Sequence, residues 1–227
     1  MSYCKTKTTE KLEYNQLLEE FILGCKPTQK IGMEYERIPL ISVTKQVAPY
    51  RGEFGICELL KEFAKQENWD YILDNNNIIG LKNLHNTITL EPGCQVEYSV
   101  EPQEFIRDLK TNIEQIDSKL LPFLEKFGIT LINKGVSPTT TYKNIELLPK
   151  KRYKIMANYL WGILSDVMMR ETAGIQICID YKSEEDAMRK FKLANKLSPF
   201  MTAMFANSPI RGSVDTGYKS FRALSWL

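Results

Sequence analysis

Lys30-Ile31-Gly32-Met33-Glu34-Tyr35-Glu36-Arg37 sets two glutamates one residue apart at the head of a run that reads as a strand over Lys30–Ile41. Some sixty residues on stands a second acidic cluster, Thr89-Leu90-Glu91-Pro92-Gly93-Cys94-Gln95-Val96-Glu97-Tyr98-Ser99. Alternate residues of an extended chain face the same way, so Glu34 and Glu36 share one face, as do Gln95 and Glu97. Like charges side by side repel, and glutamate is a poor strand former. Either segment alone reads as an edge strand with solvated charges. The two together, with Gly32 and Gly93 beside them, point to an opposing cation. Hard ions such as Mg²⁺ take carboxylate oxygens and substrate phosphates, so the expectation is a sheet that holds magnesium and a nucleotide.

Working outward, residues 9–24 carry Leu12, Leu17, Leu18, Phe21 and Ile22, a helical pattern ending at Gly24 with Pro27 beyond. A helix is expected over Glu53–Gln66. Trp69–Leu73, Ile78–Leu81, Thr87–Glu91 and Gln95–Ser99 read as short strands punctuated by Asn, Gly and Pro. Residues 102–127 show the clearest helical period, through Phe105, Leu109, Ile113, Ile116, Leu120, Leu124 and Phe127. A strand over Ile129–Val136, a Pro- and Thr-rich loop (137–149), a helix over Arg152–Met169, a strand over Ala173–Tyr181 and a helix over Ser183–Ala206 follow. Ser183 before Glu184, Glu185 and Asp186 is a helix N-cap with anions at the positive end of the dipole. In the strand, Thr172, Gly174 and Gln176 share a polar face, and Ala173, Ile175 and Ile177 are expected to pack. The order predicts an α+β fold with a mostly antiparallel sheet, one domain over 1–227 and no internal repeat.

The 227 residues are 43% hydrophobic and 26% charged with net charge +2, which gives no pull toward nucleic acid or an anionic membrane. No apolar run is long enough to span a bilayer, and no secretory leader is evident. The five cysteines (4, 25, 57, 94 and 178) are odd in number and lack C-x-x-C spacing, so a reducing cytoplasm is expected and a zinc site is not. His85, the only histidine, sits in a polar loop, which argues against a Ser-His or Cys-His nucleophile. Carboxylates around Cys94 are expected to raise its thiol pKa. Neither a G-x-x-x-x-G-K-[ST] loop nor a G-x-G-x-x-G turn occurs, so a nucleotide would have to be held by metal-bridged phosphates.

Glu34, Glu36, Glu91 and Glu97 are the candidate metal ligands. Gln95 reads either as a substrate contact or as an ordinary strand residue. Arg211 and Arg222 read either as carboxylate clamps, through the guanidinium fork, or as surface charges.

Gly32-Met33-Glu34-Tyr35-Glu36, Ile78 through Lys82, Ile88 through Ser99, Pro149-Lys150-Lys151-Arg152-Tyr153-Lys154-Ile155-Met156, Thr172 through Asp180, Leu197-Ser198-Pro199-Phe200 and Phe205-Ala206-Asn207-Ser208-Pro209 resemble the glutamate–cysteine ligases of the plant and proteobacterial type. The resemblance runs in order from Gly24 to Trp226. It implies a cupped antiparallel sheet like that of glutamine synthetase. It also implies an ATP-dependent ligase that joins the γ-carboxylate of glutamate to the amine of cysteine through a γ-glutamyl phosphate. On that pattern Glu34, Glu36, Glu91 and Glu97 bind Mg²⁺, with Glu34, Glu36 and Arg222 as catalytic residues. Gln95, Thr172, Gln176 and Arg222 meet substrate. The departures are Glu171 where the plant enzymes carry arginine, Cys94 for a glycine, Cys178 for a polar residue, and a chain shorter than the family's. They raise the expectations of another acceptor amine, of a homo-oligomer or second chain, and of a non-catalytic half-domain.

Overall fold

The computed structural model describes residues 13–227. Its centre is β1 (Ile31–Ile41), an eleven-residue strand that organises the sheet. After α1 (Tyr14–Leu23) and β1 come α2 (Ile56–Glu67) and four short strands, β2 (Asp70–Asp74), β3 (Asn77–Lys82), β4 (Thr87–Leu90) and β5 (Val96–Gln103). These pair in hairpin sequence, and β5 then lies antiparallel to β1, with Glu36 opposite Glu97 and Glu34 opposite Ser99. Along the other edge of β1, β6 (Ile129–Ile132) pairs with Ile38–Ile41 and β7 (Ile175–Ile179) with Ile31–Tyr35. Every pairing between the described strands is antiparallel, as the short punctuated strands predict. Proline inside a strand lacks a ladder donor. Pro39 is accommodated because pairing with β5 has ended at Arg37.

Alternation along these strands separates a core face from an open face. On β4 and β5, Ile88, Leu90, Val96, Tyr98 and Val100 are buried. They pack under α2 and α3 (Ile106–Lys126), which contribute Leu60, Phe63, Leu120 and Phe123. The intervening residues, Thr89, Glu97 and Ser99, face the other way, as Glu34 and Glu36 do on β1. Arg37 extends to the core side, 3% exposed between the rings of Tyr35 and Tyr98, and pairs with Asp117 of α3 at 2.5 Å.

The remaining elements are α4 (Lys151–Tyr159), α5 (Ser165–Glu171), α6 (Glu184–Met204), the hairpin β8 (Ile210–Arg211) and β9 (Val214–Asp215), and α7 (Phe221–Leu224). Ser183 caps α6, its hydroxyl accepting from the Asp186 amide, as the sequence predicts. No helix among the described residues is long and apolar enough to cross a membrane.

Several expectations are corrected. Arg152–Met169 is two helices. The chain leaves helical geometry at Leu160 and turns through Trp161-Gly162, where the Ser165 hydroxyl donates to the carbonyls of Leu160 and Gly162. The strand after α3 stops at Ile132, because Asn133-Lys134-Gly135 turn away; Val136 makes only a bridge to Thr172. Phe105 is the α3 N-cap residue and is exposed, so it is not part of the core stripe. The Ile175/Ile177 side of β7 does not pack: these residues are 61% and 52% exposed, because no described element covers them. The apolar residues of α1 are likewise exposed, and residues 9–12 of that helical pattern lie outside the described residues.

Candidate active site

The open face of the sheet forms the floor of a cleft of about 460 Å³. β1 supplies Glu34 and Glu36, β4 supplies Thr89, the β4–β5 turn supplies Glu91, and β5 supplies Glu97. The far wall is Lys150, Arg152, Tyr153 and Met156 around the start of α4, and Trp226 also lines the cleft. Gln95, Thr172 and Gln176 also line it. Of the candidate site residues singled out from sequence, Arg211 and Arg222 are not part of the lining.

Each glutamate is held differently. The Glu36 carboxylate accepts from the Gly174 amide at 2.7 Å, joining the β1–β7 edge to the site. Burial, then repulsion from Glu91 and Glu97, pushes its pKa up to about 7. Glu34 accepts from the Gln176 amide at 2.6 Å across the same pair of strands, and burial and Glu97 raise its pKa. Glu97 accepts from the Thr89 hydroxyl at 2.7 Å. Glu91 accepts from the Tyr153 hydroxyl at 3.0 Å, and burial and then Glu97 raise its pKa. Desolvation plus like charge disfavours the ionised forms. A cation in the cleft would offset both.

In kind, the donor set fits a hard divalent ion: four carboxylates, with no thiolate or imidazole on the lining. Among the described residues no three acidic, histidine or cysteine side chains stand close enough to hold an ion by themselves. Glu34, Glu36, Glu91 and Glu97 ring the cleft, and the balance of any coordination shell would come from water or from substrate oxygens.

The polar candidates separate by what their groups already bond. Gln95 is 2% exposed; its amide donates to the carbonyls of Met169 and Thr172, and its oxygen accepts from Gly93 at 2.7 Å. It ties the Pro92-Gly93 turn to the end of α5. A Cβ at Gly93 would sit 2.2 Å from the Arg170 carbonyl oxygen, so only glycine allows the turn that close. The Thr172 hydroxyl donates to the Met168 carbonyl, whereas Gln176 is exposed. The Arg222 guanidinium lies against Gly174, where a Cβ would meet Nη2 at 2.7 Å. Its buried Nε makes no hydrogen bond, the Trp226 ring is 5.6 Å away, and its charge acts on Glu36. Arg211 is committed elsewhere, donating twice to the buried Glu171.

The sequence reading missed Lys150, Arg152 and Tyr153 as wall residues. Their signal was the basic run before an expected helix, quoted above only as a motif. His85 is exposed and bonds Glu101 at 2.8 Å, outside the cleft. Cys94 is buried; its thiol pKa is raised, chiefly by burial and then by Glu146, not by the four cleft carboxylates.

Residues 30–227 match the model of a protein family described as Glutamate-cysteine ligase family 2 (GCS2). The chain belongs to that family. It is 35% identical over 222 residues to a protein named glutamate–cysteine ligase B, chloroplastic, of Oryza sativa subsp. japonica, covering 96% of this chain and 44% of the rice protein. It is 35% identical over 221 residues to glutamate–cysteine ligase, chloroplastic, of Nicotiana tabacum, and 34% over 222 residues to that of Arabidopsis thaliana, in each case over 96% of this chain and 42% of the relative. The chain thus spans less than half the length of these curated relatives. The expectation of a cytoplasmic location is corrected by the relatives, which are named chloroplastic. The cysteine pattern argues only against a disulfide framework and does not single out the cytoplasm.

Proposed function

We propose that the cleft binds Mg·ATP and glutamate, and that the protein performs the ligase chemistry named in its relatives, joining glutamate to cysteine as γ-glutamylcysteine. The γ-carboxylate of glutamate attacks the terminal phosphorus of ATP, giving γ-glutamyl phosphate and ADP. The amine nitrogen then attacks the acyl carbon; phosphate leaves, and the amine loses a proton. Such chemistry needs positioning and charge neutralisation more than covalent help from the protein. When bound, Mg²⁺ would neutralise phosphate charge. Glu34, Glu36, Glu91 and Glu97 would hold it. Arg222, with no hydrogen-bond partner at its buried Nε, would pair with the α-carboxylate of glutamate, and Gln176 would orient the substrate beside Glu34.

The observation that carries this reading is the convergence of four glutamates from β1, the β4–β5 turn and β5 on one cleft, in a chain of this family. Calorimetry with Mg·ATP tests it. Glu34→Gln or Glu97→Gln is expected to weaken binding with the fold unchanged by circular dichroism; equal affinity in wild type and both variants would refute the assignment.

A second reading rests on β7 and α6. Ile175, Ile177 and Ile179 and, on α6, Phe191, Leu197, Phe200 and Met204 are exposed, and one edge of β7 is unpaired among the described strands. Such surface favours an assembly, with a second copy or another chain completing the site. Sedimentation equilibrium distinguishes the two: a stable assembly supports a composite site, and a monomer that binds Mg·ATP weakly supports a non-catalytic half-domain.

A further inference from the structure

Glu91 is the only one of the four glutamates whose carboxylate is reached from the far wall of the cleft. Among the described residues its one side-chain hydrogen-bond donor is Tyr153 of α4, at 3.0 Å from Oε1. Tyr153 is 2% exposed, so its hydroxyl cannot turn to solvent. The same oxygen stands 3.3 Å from the Leu90 carbonyl and accepts from Lys150 Nζ at 3.1 Å. A phenol has one proton to give. With Lys150 donating to the oxygen, that proton goes either to Glu91 or to Leu90.

We propose that Tyr153 is a positioning residue for Glu91: its hydroxyl, nearer to Glu91 than to the Leu90 carbonyl, holds the carboxylate toward the open cleft and keeps that bond when a divalent cation is bound. The proposal rests on the reading of the cleft as a cation site. The bond fixes which way Glu91 faces before the ion arrives. Donors behind metal-binding side chains orient them, and their loss lowers metal affinity by about 10–100-fold. Lys150 holds the phenol oxygen and acts on Glu91 by its charge alone, without a hydrogen bond to it.

The test uses Mn²⁺ as the probe on the full chain, with affinity measured by calorimetry and glutamate binding measured separately without metal. Tyr153→Phe is expected to weaken Mn²⁺ binding by about tenfold or more, with glutamate affinity unchanged and the fold retained by circular dichroism. Lys150→Met keeps the hydroxyl donor and is expected to retain most of the Mn²⁺ affinity. Unchanged Mn²⁺ affinity in Tyr153→Phe, or an equal loss for Mn²⁺ and glutamate, overturns the positioning role while leaving the cation site standing. A loss in Lys150→Met as large as in Tyr153→Phe assigns the effect to the arrangement of the far wall rather than to the phenol donor and also overturns it. Absence of Mn²⁺ binding by the wild-type protein overturns the cation site itself, and this proposal with it.

Discussion

Replacing Glu36 by glutamine is expected to stabilise the protein at alkaline pH and to leave it unchanged in acid. The folded-state carboxyl titrates at about 7 against an ordinary value of 4.5, because it is buried beside Glu91 and Glu97. The folded value is raised, so stability is fully present below 4.5 and is lost as pH climbs toward 7. Between those values the unfolded chain has released the proton while the folded chain still holds it. At about 1.4 kcal/mol for each pH unit, the gap corresponds to about 3 kcal/mol, complete near pH 8. Glutamine keeps an oxygen for the Gly174 amide, now 2.7 Å from the carboxylate, so the β1–β7 contact survives. Urea unfolding in chelator at pH 4 and pH 8 measures the effect. Glu36→Gln should match wild type at pH 4 and exceed it by about 2–3 kcal/mol at pH 8. Added Mg²⁺ should narrow the difference at pH 8 by stabilising the wild-type protein, since an ion bound only by the native state favours it. The same difference at both pH values, or a destabilised variant at pH 8, would refute the account of Glu36.

Two further outcomes concern the scaffold under the cleft. Asp117→Ala strands the Arg37 guanidinium at 3% exposure beneath β1 and is expected to cost about 3–5 kcal/mol in urea unfolding; a loss of a few tenths would show that the aromatic rings and water suffice. Gln95→Leu leaves the Gly93 amide and the Met169 and Thr172 carbonyls without their partner and is expected to cost about 3 kcal/mol in thermal unfolding; a neutral variant would show that this side chain does not hold the turn.

The parts of the fold legible in the sequence are those that a local period encodes. Alternation alone put Glu34 and Glu36 on one face of β1 and set Glu97 opposite the core residues Val96 and Tyr98. The three-to-four spacing of Leu109, Ile113, Ile116 and Leu120 defined the buried stripe of α3. The break at Trp161-Gly162 was not legible, because Met156, Leu160, Leu164 and Met168 continue an apolar period through a turn. Gln95 shared parity with Glu97 but precedes β5. There the turn aims its amide at backbone carbonyls of α5, a contact set by tertiary packing. The β7 isoleucines read as a packed face because alternation reports which residues share a side, not whether anything covers it. The far wall was missed for a similar reason: Tyr153 reaches Glu91, and Lys150 reaches Tyr153, only through the tertiary placement of α4.

Phosphate release by the purified chain with ATP, Mg²⁺ and glutamate, with and without cysteine and against Glu34→Gln, tests the central claim most directly. The account predicts release that cysteine stimulates and that Glu34→Gln abolishes. Release with glutamate that ignores cysteine would keep the phosphoryl step and contradict the acceptor. No release from a folded, Mg·ATP-saturated protein would contradict the ligase reading of this chain by itself.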